Sequence, residues 1–516
     1  MTENVKVLAL RLLDRFDEHI SASQVLFHYI EGLSWLRVLS KAEGHTKFSG
    51  LHGAAFLGVA EIVAAALEMK EWDINAADCL GCTALSWAAA RGHEAIVQML
   101  LKRKDINPDH ADVKYGLTPL SRAAAWGHGG LVKMLLERRD VNPDQADTFY
   151  GRTPLSQAAA WGHEGVVRML LERKGINPDH IDTIYGATPL LLAAESGHQG
   201  VAEILLTRKD VNPAHADTAS GQTPLSRAAA LGHEGVVKIL LERKDVNHDQ
   251  VDTEDGRTPL SWAAGNGREG VVDILLERKD VNPDHVDTKY GATPLLLAAA
   301  GGYENIVRML LQREDVNPDH ADSQYGQTPL SRAAAWGRGG VVKMLLERKD
   351  VNSDQVDTED GRTPLSWAAG NGREGVVKML LEREEVNPDQ ADTQDGRAPL
   401  LWAAGNGHGG VVKLLLERKD INPDQADTKY GCTPLSLAAQ NGQEGVLKIL
   451  LEREEVNPDH ADNDYGHTPL SVAASCGHER VVKMLLGRED VSPTGQTPCT
   501  AKPRSCGQLG TATWKS

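Results

Sequence analysis

The chain has 516 residues, of which 55 are Lys or Arg and 72 are Asp or Glu, giving a formal net charge of −17. Nucleic acids and anionic membrane surfaces both require a concentrated basic surface, so this charge argues against either as the partner. No apolar run reaches the ~18 residues that a membrane-spanning helix requires, so we predict no membrane insertion.

Residues 1–45 do not follow the pattern of the rest of the chain. We interpret them as a helical cap on the segment that follows, or as a connector to a further upstream domain. Two helices are predicted there, because apolar residues recur at roughly helical spacing. These residues are Val5, Leu8, Leu12, Phe16 and Ile20, followed by Leu26, Tyr29 and Leu33.

The N-terminus and the cysteines both indicate a reducing compartment. Glu3, Lys6 and Arg11 interrupt the first turns, which excludes a signal peptide and favours the cytoplasm, with the nucleus as a further possibility. The six cysteines are scattered, so they form no disulfide framework. Cys79 and Cys82 have C-x-x-C spacing without a second pair, and we interpret them as two free thiols. No metal or cofactor is predicted.

A glycine recurs every 35 residues and defines twelve copies of one unit over residues 81–492. A degenerate copy precedes them at residues 46–80, where Leu51 aligns with Leu85. Periods of this length are typical of repeat proteins, which fold by stacking neighbouring units. The register glycines are Gly81, Gly116, Gly151, Gly186, Gly221, Gly256, Gly291, Gly326, Gly361, Gly396, Gly431 and Gly466.

Each copy has the same local pattern, which residues 361–395 illustrate. Thr363 is a good N-cap, and Pro364 suits the first position of a helix. This short first helix has an alanine-lined face and is expected to end at Gly372 in the left-handed conformation. A second helix begins near Gly375 and carries an apolar stripe. An Asn-Pro-Asp turn then starts the loop to the next register glycine; we call each such loop a finger.

The Thr-Pro-Leu, Ala-Ala, Val-Val and Leu-Leu pairs in this order resemble the ankyrin repeat over residues 46–492. The resemblance implies an all-α ankyrin-repeat solenoid, with a helix-turn-helix and a protruding loop or β-hairpin in each repeat, stacked into a curved rod. Two features depart from the family pattern. The unit has 35 residues instead of about 33. Ser366 or Leu191 stands where a histidine usually follows Thr-Pro-Leu, which puts the inter-repeat hydrogen bond of that histidine in doubt.

After residue 492 the repeat pattern stops. Gly495-Gln-Thr-Pro498 repeats the opening of two other copies, but no apolar stripe follows. We interpret residues 493–516 as the start of a further copy cut short, and predict that this tail is irregular and disordered.

No pattern in the chain indicates catalysis, and we predict that the protein is not an enzyme. There is no phosphate-binding Gly-Lys-Ser or Gly-Lys-Thr, and no His-Glu-x-x-His. Pairs such as His163-Glu164 only open second helices. One group of histidines follows Pro-Asp in separate copies and is predicted to be exposed on the fingers: His110, His180, His285, His320 and His460.

Ankyrin-like proteins generally bind partners through the fingers and the inner face of the first helices. Tyr, Trp and Arg are enriched in binding hot spots, and we predict a row of them on one concave face. The alternative is that the tryptophans in this set pack between layers and the tyrosines cover their own loops. The candidate partner-binding residues are Tyr115, Trp126, Tyr150, Arg152, Trp161, Tyr185, Tyr290, Tyr325, Trp336, Arg362, Arg397 and Tyr430. A second group precedes Ala-Ala and is predicted to lie in the core: Trp87, Trp262, Trp367 and Trp402.

The predicted function is non-catalytic binding of a protein partner by an array that is monomeric in isolation. The repeat consensus resembles the ankyrin arrays of filamentous fungi that often follow a NACHT nucleoside-triphosphatase module. That resemblance implies the recognition part of a signalling, nonself-sensing receptor. The alternative is a constitutive intracellular scaffold or a membrane–cytoskeleton adaptor.

Overall fold

The computed structural model describes residues 50–68, 73–78 and 80–492. The predicted helices within residues 1–45, the thiol of Cys79 and the predicted disorder of residues 493–516 lie outside this part of the chain. The chain divides into two compact units, the first ending at Glu254 and the second beginning at Asp255.

The described residues form 26 α-helices and no strand, which confirms the all-α repeat fold. The first unit contains α1 Gly50–Leu57, α2 Ala60–Glu68, α3 Ala84–Arg91, α4 Glu94–Leu101, α5 Pro119–Ala125, α6 Gly129–Glu137, α7 Pro154–Ala160, α8 Glu164–Leu171, α9 Pro189–Glu195, α10 Gln199–Leu206, α11 Pro224–Leu231 and α12 Glu234–Glu242. The second contains α13 Pro259–Gly265, α14 Glu269–Leu276, α15 Pro294–Gly301, α16 Glu304–Leu311, α17 Pro329–Trp336, α18 Gly339–Glu347, α19 Pro364–Gly370, α20 Glu374–Leu381, α21 Pro399–Asn406, α22 Gly409–Leu416, α23 Pro434–Gln440, α24 Glu444–Leu451, α25 Pro469–Cys476 and α26 Glu479–Leu486.

The start of each first helix follows from the Thr-Pro pair. Thr118 has extended backbone angles, and its Oγ1 accepts a hydrogen bond of 3.1 Å from the amide of Ser121. The two hydroxyls lie 3.0 Å apart, which completes a small polar network at the helix start. Three first helices depart from this pair: α1 begins at Gly50, α3 has Ala84 in place of proline, and Ala398 gives α21 no side-chain cap. The predicted N-cap and N1 roles are therefore confirmed, since Thr and Pro satisfy the helix start locally.

Two glycines of each copy need a left-handed backbone. Gly372 has φ +68°, and a Cβ there would lie 2.6 Å from Nδ1 of His408. Gly361 has φ +71°, and a Cβ there would lie 2.4 Å from Oγ1 of Thr393. The register glycine is thus required both by its backbone angle and by the close approach of the next repeat.

The core of each unit lies between successive repeats. First helices pack against first helices, as α5 does on α7, and second helices pack against second helices. The alanines and aliphatic residues of the consensus are buried, including Leu365, Ala368, Val377 and Leu380. Small alanines let the first helices approach closely, and the aliphatic stripe of the second helices fills the remaining space.

The fingers are turns joined by single backbone hydrogen bonds. In the first unit, the amide of Asp112 donates to the carbonyl of Leu117 at 3.1 Å and closes one finger. The next finger is joined to it by the amide of Thr148, which donates to the carbonyl of Tyr115 at 2.8 Å. A backbone hydrogen bond between neighbouring fingers therefore helps to hold them in register, where the resemblance allowed a full β-hairpin.

A histidine other than the family's usual one connects successive repeats. His163 precedes α8, and its Nε2 lies 2.9 Å from the carbonyl oxygen of Ala125 in the preceding repeat. His128 and His198 make the same contact with Ala90 and Ala160. These histidines do more than open second helices, because each one satisfies a carbonyl at the end of a neighbouring first helix.

Candidate protein-binding surface

Two tryptophans of the first unit are largely exposed at the ends of successive first helices. Trp126 follows α5 and is 60% exposed, and Trp161 follows α7 and is 64% exposed. In the second unit, Trp336 ends α17 and is also exposed. Exposure of this degree favours partner binding over packing between layers for Trp126 and Trp161, and less strongly for Trp336, which is 41% exposed.

The fingers of the first unit carry a second apolar group. Val113 is 82% exposed, and Phe149, Ile184 and Tyr185 are exposed as well. The ring of Phe149 packs edge-on against those of Tyr115 and Tyr150, with centroids 5.7 and 4.6 Å apart. Three successive fingers therefore expose aliphatic and aromatic side chains, and ring contacts join the first two of them.

The tryptophans and the tyrosines of the first unit form two rows. Tyr115 lies before α5 and Trp126 after it. The seven residues of α5 have a length of about 10 Å at 1.5 Å per residue. The predicted single strip is therefore two rows in this unit, one along the fingers and one at the far ends of the first helices.

The candidate tyrosines of the second unit lie half-buried under cations of the chain. Lys289 and Lys429 place their ammonium groups 5.2 and 5.1 Å from the ring centroids of Tyr290 and Tyr430. The guanidinium of Arg332 lies 5.4 Å from that of Tyr325. Tyr115 and Tyr150 of the first unit are half-buried in the same way, each with a cation 4.8 Å from its ring centroid. One ring face of each of these tyrosines is therefore taken up by the chain itself, which favours the alternative that they cover their own loops.

A buried aspartate links each finger to its first helix through hydrogen bonds. Asp112 accepts hydrogen bonds from the amides of Tyr115 and Leu117 at 2.6 and 3.1 Å. Its other partner is Arg122 of α5, at 2.9 Å. At the position of Arg122, other repeats donate to their own aspartate with a different side chain, such as Gln157 to Asp147 and Trp367 to Asp357. The finger is thus fixed to its first helix by a satisfied buried carboxylate.

Three repeats have leucine in place of that donor, and their aspartates take an arginine from the preceding repeat. Arg152 donates to Asp182 at 3.3 Å, in the repeat where Leu192 stands. Arg257 donates to Asp287 at 3.4 Å in the repeat of Leu297. In the repeat of Leu437, Arg397 forms an ion pair with Asp427 at 3.7 Å. No sequence interpretation anticipated this network. The sequence feature that could have indicated this network is an arginine 40 residues before each of these leucines.

The same network corrects one candidate binding residue. Arg397 is 2% exposed, with its guanidinium 5.0 Å from the ring centroid of Trp402. It is a scaffold residue, and the prediction that it contacts a partner is wrong. Arg362 lies against two rings, 4.7 Å from the centroid of Trp367 and 3.5 Å from that of Trp402. Burial lowers the pKa of Arg362, against the charges of nearby aspartates.

The tryptophans predicted to lie in the core are buried in only one case. Trp402 is buried, whereas Trp87, Trp262 and Trp367 are half-buried. Their position faces the finger, where Trp87 donates to Asp78 at 2.8 Å. Trp87, Trp262 and Trp367 therefore lie at the edge of the core, and the indole N–H of Trp367 serves the finger carboxylate as that of Trp402 does.

The histidines predicted to be exposed on the fingers are half-buried instead. Nε2 of His180 lies 3.0 Å from the carbonyl oxygen of Gly151, and Nε2 of His285 lies 3.2 Å from that of Gly256. These rings turn towards the register glycine of the preceding repeat, which explains their partial burial. His110, His320 and His460 are half-buried as well.

Residues 50–68, 73–78 and 80–492 contain no group of three or more His, Cys, Asp or Glu side chains placed to hold a metal ion. Among the same residues, no helix combines the length and apolarity needed to cross a membrane.

Comparison with known families agrees with this geometry. A family model described as "Ankyrin repeats (3 copies)" matches residues 28–112, 51–147, 104–182, 139–217, 209–287, 271–355, 349–427 and 420–496. A search of curated proteins finds no match. Members of the matched family are in general non-catalytic modules that bind protein partners. Since the matches together span well over half of its length, the chain belongs to the ankyrin-repeat family.

Proposed function

We propose that the chain is the recognition array of a signalling receptor of the type found in filamentous fungi, acting in the cytoplasm or nucleus. It binds a protein partner through a surface of the first unit centred on Trp126 and Trp161. The observation that carries the proposal is the exposure of these two side chains, 60% and 64%, at one position of successive repeats.

Two adjacent exposed tryptophans are a favourable anchor for a protein partner. Tryptophan is the residue type most enriched in binding hot spots, where truncation typically costs ~2 kcal/mol or more. Within the described residues, neither indole N–H has a hydrogen-bond partner, so each can donate to an incoming protein. Ser196 continues the same position in the next repeat, which confines the anchor to two repeats of this stretch.

The contrast between the scaffold and its surface favours recognition over a purely mechanical role. The caps, register glycines and core recur in copy after copy, whereas the finger and helix-end positions change. Proteins that recognise a particular partner place their variable side chains on a rigid scaffold. The resemblance to fungal receptor arrays adds the proposed biological setting.

The direct test is capture of a partner from native fungal extract by the full chain and by the Trp126→Ala/Trp161→Ala variant. We expect the variant to fold normally, by circular dichroism, and to lose the partner, with affinity reduced by about 100-fold. Ser196→Ala, at the same position of the next repeat, is the matched control and should bind as the wild type does. Equal capture by all three proteins would contradict the proposed surface.

A second arm of the experiment separates a sensor from a scaffold. The same capture is repeated with extract from cells challenged by a foreign strain. A receptor array gains or exchanges its partner after the challenge. A constitutive scaffold or cytoskeletal adaptor retrieves the same partner in the same amount, and that result would favour the alternative function.

A further inference from the structure

Two fingers of the second unit show how a carboxylate on this scaffold is completed by a lysine. Asp255 lies directly before its register glycine, and its Oδ2 is 3.6 Å from Nη1 of Arg257. Its Oδ1 accepts a hydrogen bond of 2.7 Å from Nζ of Lys289 in the next finger. The arrangement recurs at Asp395, with Arg397 at 3.6 Å and Lys429 at 2.6 Å.

Asp360 lies at the same position of its finger but has only the arginine. Nε of Arg362 is 3.4 Å from Oδ2 of Asp360. Gln394 occupies the place that Lys289 and Lys429 hold in their fingers. Across the described residues, no side chain donates to Oδ1 of Asp360.

The negative charge around Asp360 is balanced only in part by Arg362. The neighbouring Glu359 is exposed and has no ion pair within the described residues. Burial raises the pKa of Asp360, and the charges of Asp357, Asp392 and Asp395 raise it further, against the opposing effect of Arg362. A cation brought to Oδ1 would relieve this repulsion, as like charges at short range disfavour ionisation of one another.

We propose that Glu359 and Asp360 form a subsite that receives a lysine or arginine side chain from a basic segment of the protein partner. The proposal rests on the proposed function in that it assumes a protein ligand. The choice of a basic side chain follows from the chain's own contacts. Lys289 and Lys429 place their ammonium groups on Oδ1 of Asp255 and Asp395, the atom equivalent to Oδ1 of Asp360. Arginine fits as well, because a carboxylate accepts a guanidinium in the same way.

The test uses the full chain and a fluorescein-labelled hexalysine peptide, with binding followed by fluorescence anisotropy at low ionic strength. Gln394→Lys supplies the lysine of the other two fingers and should weaken peptide binding about threefold, the range of an exposed ion pair. Gln324→Lys is the matched control. It adds the same charge at the same position of another exposed finger, but the residue opposite is Tyr290 instead of an aspartate. We expect this control to leave the affinity within error of the wild type.

A second measurement locates the peptide. Carbodiimide coupling should join hexalysine to Glu359 or Asp360, as mapped by peptide mass spectrometry, and Gln394→Lys should divert the coupling of Asp360 to residue 394. Equal loss of affinity in both lysine variants, or coupling spread evenly over the acidic surface, would overturn the subsite. So would a wild-type chain that does not bind hexalysine. None of these outcomes depends on Trp126 and Trp161, so failure of the subsite and failure of the tryptophan surface are distinguishable.

Discussion

The residue at the end of the first helix differs between repeats of the two units, although the helices are alike and Trp336 gives the second unit one exposed tryptophan of its own. In the first unit, Trp126 and Trp161 stand there with their side chains open to solvent. In the second unit, Asn406 and Asn441 stand at the same position. Their Nδ2 atoms donate to the carbonyl oxygens of Gly370 and Gly405 in the preceding repeats, at 2.7 and 2.9 Å.

The fingers show the same contrast. Phe149 and Ile184 expose apolar surface in the first unit, whereas Asp395 and Lys429 form an ion pair between fingers in the second. One scaffold thus carries fingers joined by ion pairs in the second unit and fingers that expose apolar side chains in the first. Side chains that bond to the neighbouring repeat stabilise the stack of repeats. Exposed apolar side chains can instead become buried against a partner and so contribute to its binding free energy.

The largest expected effect concerns what the units share. Leu120 and Leu330 are the same core position of the first and second units, and both are fully buried. Changing either to alanine should lower the free energy of unfolding by about 3 kcal/mol, since each leaves a cavity between repeats. Urea unfolding followed by circular dichroism measures it. A difference of more than about 1 kcal/mol between the variants would mean that the two cores are not equivalent.

The exchange of arginine partners should have the next largest effect. Arg152→Ala leaves the buried Asp182 without its cation, and should cost about 2 kcal/mol of unfolding free energy. Adding Leu192→Arg should recover most of the loss, because Arg122 serves Asp112 from that same position.

The matching pair in the second unit is Arg257→Ala with Leu297→Arg, tested by the same urea unfolding. Failure of the added arginine to restore stability in both units would contradict this expectation. It would mean that an arginine in the aspartate's own repeat cannot replace the arginine of the preceding repeat.

A smaller effect should separate the two kinds of helix end. Asn406→Ala removes an inter-repeat hydrogen bond and should cost about 0.5 kcal/mol. Trp161→Ala should leave stability unchanged, because the side chain is exposed and makes no polar contact within the described residues. Thermal unfolding of the two variants beside the wild type decides this. A clear loss of Tm in Trp161→Ala would assign that tryptophan a packing role.

The smallest expected effect is a pH dependence common to both units. Burial raises the pKa of Asp144 in the first unit and of Asp354 in the second. A raised folded-state pKa means that stability is lost as pH rises through it, so at neutral pH the ionised carboxylate weakens the fold. Asp144→Asn keeps an acceptor for the amide of Asn177 and should be slightly more stable than the wild type at pH 7, by at most ~0.5 kcal/mol.

That gain should disappear below the unfolded pKa of an aspartate, near pH 3, where the wild-type carboxyl is already neutral. Asp354→Asn should behave alike, and urea unfolding at both pH values measures the two variants. A gain that persisted at pH 3 would show that charge is not its cause.

The sequence by itself determined the repeat, its helices and its core. The Thr-Pro pairs, the register glycines and the apolar stripes act over a few residues, so their structural effect can be predicted from local spacing. The twelve-fold recurrence added certainty, because one short pattern had to fold the same way each time.

Only the tertiary structure decided what happens between repeats. Arg152 lies 30 residues from Asp182, and Asp360 lies 34 residues from the glutamine that replaces a lysine. Stacking brings such pairs together, and local spacing says nothing about which of several charged neighbours a side chain will reach. For the same reason the sequence placed Arg397 on the surface, whereas packing buried it against Trp402. The exposed row of Trp126 and Trp161 was predicted by residue type, but its separation from the fingers depends on the length and direction of the helix between them.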